Sequence, residues 1–313
     1  EGDLPTPDFI CEAAKASLDR GETFYTYQRG IPPLREALAS YHQGLYGRPF
    51  QPDRFFVTGS GMQAIQLAVQ AVCGAGDEVI VPTPAWPNIS AAVEIHGAQA
   101  VSVPMSEGGD GWRLDLGDVE AAITPRTRAL FLNSPCNPTG WVADEELLKA
   151  FLDLARRHGL WIIADEIYAL FYYGDGPRAP SFYDVAEDDD QIVFVNSMSK
   201  NWAMTGWRIG WISAPASLGQ GFENLIQYST SGVAQFMQRG AVAALETSAG
   251  TDALLAGCAD AAPAEPSGVL VKVSKPGQER RADLPTIGIE TVSGARKAGL
   301  RGIAVEAGGA LVL

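Results

Sequence analysis

Histidine is nearly absent from this chain: His42, His96 and His158 lie far apart among 313 residues. The four cysteines, Cys11, Cys73, Cys136 and Cys258, are equally dispersed, and no two form a CxxC pair. Zinc sites need clustered nitrogen and sulfur ligands, so this scatter argues against one, and no metal is expected. Unpaired cysteines suit a reduced, cytoplasmic setting. No apolar run is long enough to span a bilayer, and the chain does not open on a basic-then-apolar leader. Basic residues are scarce too, 23 Lys and Arg against 37 Asp and Glu, for a net charge of −14. They form no block or stripe, which argues against nucleic acid and anionic membrane as partners. A small anionic ligand stays open, because one local pocket can oppose the global sign. Internal repeats and low-complexity tracts are also missing.

What remains is the composition of a soluble globular protein, 46% apolar and 19% charged, with length enough for about two domains. From residue 54 onward, strand-like and helix-like segments alternate. The strand-like runs are RFFVT, EVIVP, AQAVSVP, RALFLN, LWIIAD, QIVFVN and RIGWISA. Between them, SGMQAIQLAVQAV, a stretch around Ile89 to Ile95, and DEELLKAFLDLARRH carry apolar residues at helical spacing, the last capped by Asp144. Strands apolar throughout and separated by helices predict an α/β three-layer sandwich around a mostly parallel sheet. In such sheets ligands collect at the carboxyl ends of the strands. The Gly- and Pro-rich segments TGSGM, PTPAWPN, NSPCNPTG, DEIY and NSMSK all fall there.

Each of these loops offers one piece of chemistry. Ser60-Gly61-Met62 joins a strand to a helix, so free N–H groups and the helix dipole converge on a natural phosphate seat. As a bare helix start, Ser60 is simply an N-cap. Arg208 is a bidentate clamp for the same phosphate or a surface ion pair. Trp86, between prolines, is a stacking platform for a flat ring or a core residue. Asp165 ends a buried strand and must be paired, either with a protonated ring nitrogen or with an internal arginine. Asn137 is a donor for a ring oxygen, in a turn stiffened by prolines. Lys200 stands among apolar residues, where desolvation favours the neutral amine that attacks an aldehyde. Together these are the fittings for pyridoxal phosphate.

On the motifs YTYQRGIPPLREAL, VTGSGMQAI, GDEVIVPTPAWPN, NSPCNPTGWV, IIADEIY and SMSKNWAMTGWRIGW, residues 1 to about 246 resemble the large domain of the class I/II aminotransferases, the fold-type-I pyridoxal-phosphate family. The resemblance implies transfer of an amino group between an amino acid and a 2-oxo acid by a ping-pong mechanism, and a homodimer with shared sites. Lys200 would bond the cofactor aldehyde and shuttle the proton between substrate and cofactor. Asp165 would hold the pyridine nitrogen protonated, Asn137 and Tyr168 would bond the phenolic oxygen, and Trp86 would stack on the ring. Ser60, Gly61, Met62, Ser197 and Arg208 would surround the phosphate, and Tyr25 would reach the phosphate of the neighbouring subunit.

The family pattern stops just after AVAALE. The early segment that closes over the substrate, and the smaller domain whose arginine grips the substrate carboxylate, are not visible in this sequence. EGDLPTPDF reads as the middle of a chain. The expected organisation is a helical segment over 1–50, the cofactor-binding large domain over 51–246, a small-residue-rich linker over 247–266, and an unrelated short α/β fragment over 267–313. That tail predicts one strand, a charged loop, a helix and a final strand pair. VLVKVSKPGQERRADLPTIG and AGLRGIAVEAGGALVL are similar to the C-terminal piece of the UDP-2,3-diacylglucosamine pyrophosphohydrolases, with Asp283 as the acid of interest. Two further readings follow: a remnant that captures the cofactor but turns over little, and a carbon–sulfur lyase on the same scaffold. An arginine among Arg280, Arg281, Arg296 and Arg301 aimed into the cofactor cleft would favour full transfer. Uncovered apolar surface predicts poor solubility or heavy oligomerisation.

Overall fold

The computed structural model describes residues 5–109 and 111–248, with 270–272, 286–287, 296, 303–305 and 311–312. The chain divides into two units, Glu1–Ala39 with Pro49–Ala244, and Ser40–Arg48 with Leu245–Leu313.

The larger unit is built on a seven-stranded sheet. The chain enters through helix α1 (Asp8–Asp19) and the first turns of α2 (Pro32–Tyr46), then alternates strand and helix: β1 (Phe55–Thr58), α3 (Gly61–Val72), β2 (Glu78–Thr83), α4 (Asn88–Ile95) and β3 (Gln99–Pro104). A small hairpin, β4 (Ser106–Gly108) and β5 (Gly111–Arg113), and a short α5 (Leu116–Ala121) lead to β6 (Thr127–Asn133), α6 (Glu145–His158) and β7 (Trp161–Asp165). β8 (Ile192–Ser197), β9 (Gly210–Ser213), α7 (Gly219–Ser229) and α8 (Gln235–Ser248) follow, so α8 extends past residue 246. The sheet order is β1-β9-β8-β7-β6-β2-β3. β3, β2, β6, β7 and β8 run parallel, and β9 lies antiparallel between β8 and β1. All seven strand-like runs of the sequence are strands of this one sheet.

Successive strand residues point to opposite faces, and here both faces are buried except along the edge strand β3. On one, Phe56, Val79, Val81, Phe131, Ile163, Val195 and Ile212 form a single core with α3, α4 and α7. On the other, Phe55, Ile80, Leu130, Ile162 and Phe194 are buried as well, α6 packs against β7, and the Tyr183 ring stacks on Phe194 at 3.7 Å. This is the expected three-layer sandwich. α6 shows why the local sequence folds as it does. The Asp144 carboxylate accepts from the Leu147 N–H at 2.8 Å, acids fill the first turn, and Arg156, Arg157 and His158 fill the last. Gly159 ends the helix at φ 64°. Truncating its buried Phe151 to Ala would cost about 3–5 kcal/mol.

In the tail, β10 (Leu270–Lys272) pairs in parallel with β12 (Ile303–Val305), and β11 (Thr286–Ile287) with β13 (Leu311–Val312). The expected final strand pair is thus replaced, among the described residues, by two parallel pairs of short strands. Asp283, Arg280, Arg281, Arg301, Cys258 and the 249–266 part of the linker lie outside the described residues. Arg296 is described, helical and exposed.

Candidate active site

Parallel strands bring their carboxyl ends to one edge of the sheet, and the loops after β1, β2, β6, β7 and β8 meet there around a cleft of about 750 Å³. Gly61 and Met62 line it from the first turn of α3, and Trp86 from the loop after β2. Asn137, Asp165 with Tyr168, and Ser197 with Lys200 line it from the loops and ends of β6, β7 and β8, and Arg208 comes from the turn before β9. Residues up to 147 positions apart in sequence, Gly61 to Arg208, thus converge because the topology places their strand ends together.

Asp165 is 2% exposed. Its carboxylate accepts one long bond from the Ile167 N–H at 3.3 Å and has no cation partner among the described residues. Burial pushes its pKa up to about 7, against the smaller opposing effect of that backbone bond. The internal arginine that could have explained a buried acid is therefore not what holds it. Beside it, Tyr168 and Asn137 line the same cleft. Burial raises the phenol's pKa, the Asp165 charge adds to the rise, and the neighbouring Asn137 side chain opposes it. The Tyr168 hydroxyl therefore remains a donor well above neutrality.

The other end of the cleft suits an anion. The first-turn N–H groups of α3 have no carbonyl partner within the helix. Ser60 itself is buried outside the lining: its Oγ accepts from the Gln63 N–H at 3.0 Å, so its hydroxyl serves as the N-cap. Gly210 lets β9 pass the start of α3 closely. A Cβ there would stand 2.7 Å from the Asn196 carbonyl oxygen and 2.8 Å from the Gly61 nitrogen. Arg208, at φ 50°, donates to the Thr205 carbonyl at 2.7 Å and forms no ion pair among the described residues, leaving its guanidinium available. Ser197 Oγ donates to Ser199 Oγ at 2.8 Å.

Lys200 is half-buried at the head of a loop that the N-terminal segment anchors. Thr6 Oγ1 donates to the Ala203 carbonyl at 2.6 Å and accepts from Trp207 Nε1 at 2.9 Å. Trp86 packs partly against the core and lines the cleft. Tyr25 lies away from the cleft, 93% exposed. Asn88, Asn133, Ser199, Thr205 and Gly206 also line the cleft and were not anticipated. Ser199 had a signal, its place between Ser197 and Lys200. Asn133 read only as the polar end of a strand.

The family model for aminotransferase class I and II matches residues 1–259, and that for the LpxI C-terminal domain matches residues 217–313. A probable aspartate/prephenate aminotransferase of Aquifex aeolicus is 37% identical over 247 residues, covering 79% of this chain and 62% of that protein. The arginine–pyruvate transaminase of Pseudomonas aeruginosa is 38% identical, covering 78% of this chain and 61% of the relative. The solved structure of a Thermus thermophilus aspartate aminotransferase mutant superposes with a TM-score of 0.74 at 37% identity, covering 80% of this chain and 64% of that one. The chain thus spans about 62% of the length of the curated relatives it matches. The fold is that of the fold-type-I enzymes, and their cofactor, pyridoxal phosphate, fits the cleft. An unpaired buried acid suits a protonated ring nitrogen, Asn137 and Tyr168 suit the ring oxygen, and helix N–H groups with Arg208 suit the phosphate. By the match of its first 259 residues and by these relatives, the chain belongs to the class I and II aminotransferases.

Proposed function

We propose that this cleft binds pyridoxal phosphate and that the chain transfers an amino group from an amino acid to a 2-oxo acid. The observation that carries the reading is Asp165, a buried carboxylate without a cation partner among the described residues, directly on the wall of a cleft that also presents Lys200. Bound there, the cofactor supplies an electrophilic aldehyde and a ring that accepts the electron pair left by a departing α-proton. Lys200 Nζ, the one amine among the described cleft-lining residues, would anchor the cofactor through its aldehyde and, once the donor's own amine has taken its place there, would carry the proton to and from the donor's α-carbon. Asp165 keeps a proton on the ring nitrogen, a charge-assisted bond that offsets its own burial. Tyr168 and Asn137 would donate to the ring oxygen, Trp86 would lie against the ring, and Gly61, Met62, Ser197 and Arg208 would hold the phosphate.

Residues 51–246 act as the cofactor-binding domain in this reading, preceded by the helical segment 1–50 and followed by the linker 247–266 and the separate fragment 267–313. The chain works as a cytoplasmic homodimer. In support, Phe24, Tyr25 and Tyr27 expose aromatic surface, and the Gln28–Gln227 bond at 2.6 Å sets that segment beside exposed Tyr228. Tyr25 then serves the partner's phosphate. The relatives are named for aspartate, prephenate, or arginine with pyruvate, so their shared chemistry is an amino acid and a 2-oxo acid.

The test is a visible spectrum of the purified chain with pyridoxal phosphate, followed by borohydride reduction and mapping of the modified peptide. A visible band with a reduced adduct on Lys200, bleached by glutamate, aspartate or arginine, supports the proposal. A band indifferent to every amino acid would reduce the chain to a cofactor binder, and no band at all would overturn the site.

A further inference from the structure

Asn133 is the last residue of β6 and lies in register with Asp165, the last residue of β7. Beyond a parallel sheet's last rung, the backbone loses its ladder partners and needs others. Asn133 supplies them in two directions at once. Its Oδ1 accepts from the Asn137 N–H at 2.8 Å, and its Nδ2 donates to the Asp165 carbonyl at 3.0 Å. The Ser134 N–H reinforces the second contact, reaching the same carbonyl at 3.2 Å. On the far side of β7, Asn196 Nδ2 donates to the next carbonyl, that of Glu166, at 3.4 Å. The Asp165–Glu166 segment is therefore gripped from both neighbouring strands.

Only a side chain with both an acceptor and a donor at that reach can make the Asn133 pair of bonds. Alanine makes neither. Asn133 is 8% exposed, so water is a poor replacement. The two backbone atoms it holds belong to the two residues whose side chains bracket the ring, one at its nitrogen and one at its oxygen. We infer that Asn133 is a positioning residue, whose single carboxamide sets the Asp165 carboxylate and the Asn137 amide at a fixed separation across the cleft. The inference rests on the pyridoxal-phosphate reading of the cleft.

The experiment titrates native chain, Asn133→Ala and Asn133→Asp with pyridoxal phosphate, following the visible band from pH 5 to 9 and recording cofactor-free unfolding temperatures. In Asn133→Ala, affinity falls about tenfold, the cost of one or two displaced charge-assisted bonds. The pH midpoint of the band rises by roughly one unit, because a weaker donor set stabilises the deprotonated ring oxygen less. In Asn133→Asp, the protonated carboxyl can accept and donate as the amide does. Relative to native chain at the same pH, its affinity is near native at the acid end and falls as the carboxyl ionises. That pattern decides the matter even if the alanine variant does not fold. Lowered unfolding temperatures with native affinity and native midpoint would overturn the inference while leaving the cofactor reading intact. A native chain that gives no band would overturn both.

Discussion

Asp165 and Glu166 are neighbours in sequence and almost equally buried, and burial pushes both up to about pH 7. Their surroundings differ. Glu166 accepts from Ser181 Oγ at 2.9 and 2.7 Å and from the Phe182 N–H at 3.2 Å, beside the Arg178–Asp184 ion pair. It closes one side of the sheet end and is spent there. Asp165 accepts one backbone bond and opens onto the cleft. A raised pKa marks both acids, so titration alone does not identify the functional one. The count of satisfied lone pairs does, because a buried acceptor without a partner costs more than any made bond returns.

The sharpest way to break this contrast is at the groups that meet the cofactor. Lys200→Ala should abolish the borohydride-fixed adduct and cut amino transfer by at least about 10³-fold, read by peptide mapping and single-turnover absorbance. Asp165→Asn should slow half-transamination by about 10²–10³-fold, as losing a preorganised charge partner does elsewhere. It should also stabilise the cofactor-free chain. Folded, each acid keeps its proton up to about pH 7, and unfolded it releases it at its ordinary value of 3.8 or 4.5. The folded state thus binds more protons in between, and cofactor-free stability falls as pH rises from about 4 through 7. Asp165→Asn removes its share, raising the unfolding temperature at pH 8 by roughly 5 °C, while Glu166→Gln removes the other share and leaves transfer within about twofold. An equal loss of transfer in both variants would erase the distinction. Arg208→Lys should loosen the cofactor by about tenfold through the lost bidentate geometry. Ser60→Ala should cost only about 1 kcal/mol of stability, the smallest effect of the series, because its Oγ accepts the Gln63 N–H as the helix cap.

The sheet was legible because its strands are continuous apolar runs that Gly- and Pro-rich loops interrupt, and the ligand edge followed from parallel topology. The reversed direction of β9 was not, since RIGWISA has the same burial on both faces as its parallel neighbours. Lys200, Asp165, Asn137, Trp86 and Arg208 announced themselves by residue type and place, and Tyr168 entered only through the family resemblance. Ser60 shows the limit: a hydroxyl at a helix start reads equally as ligand or cap, and its 3.0 Å bond from the Gln63 N–H establishes the cap while leaving the O–H a donor. Asn133 was hidden because its work is done on backbone atoms, which a sequence does not display.

The most direct test of the account is the protonation state of the bound ring nitrogen, read by NMR with ¹⁵N-labelled pyridoxal phosphate at pH 8 in native chain and Asp165→Asn. A protonated nitrogen in the native chain, lost in the variant, is the predicted result. An unprotonated nitrogen in the native chain would contradict it, and Asp165 would then need another explanation for standing buried without a partner.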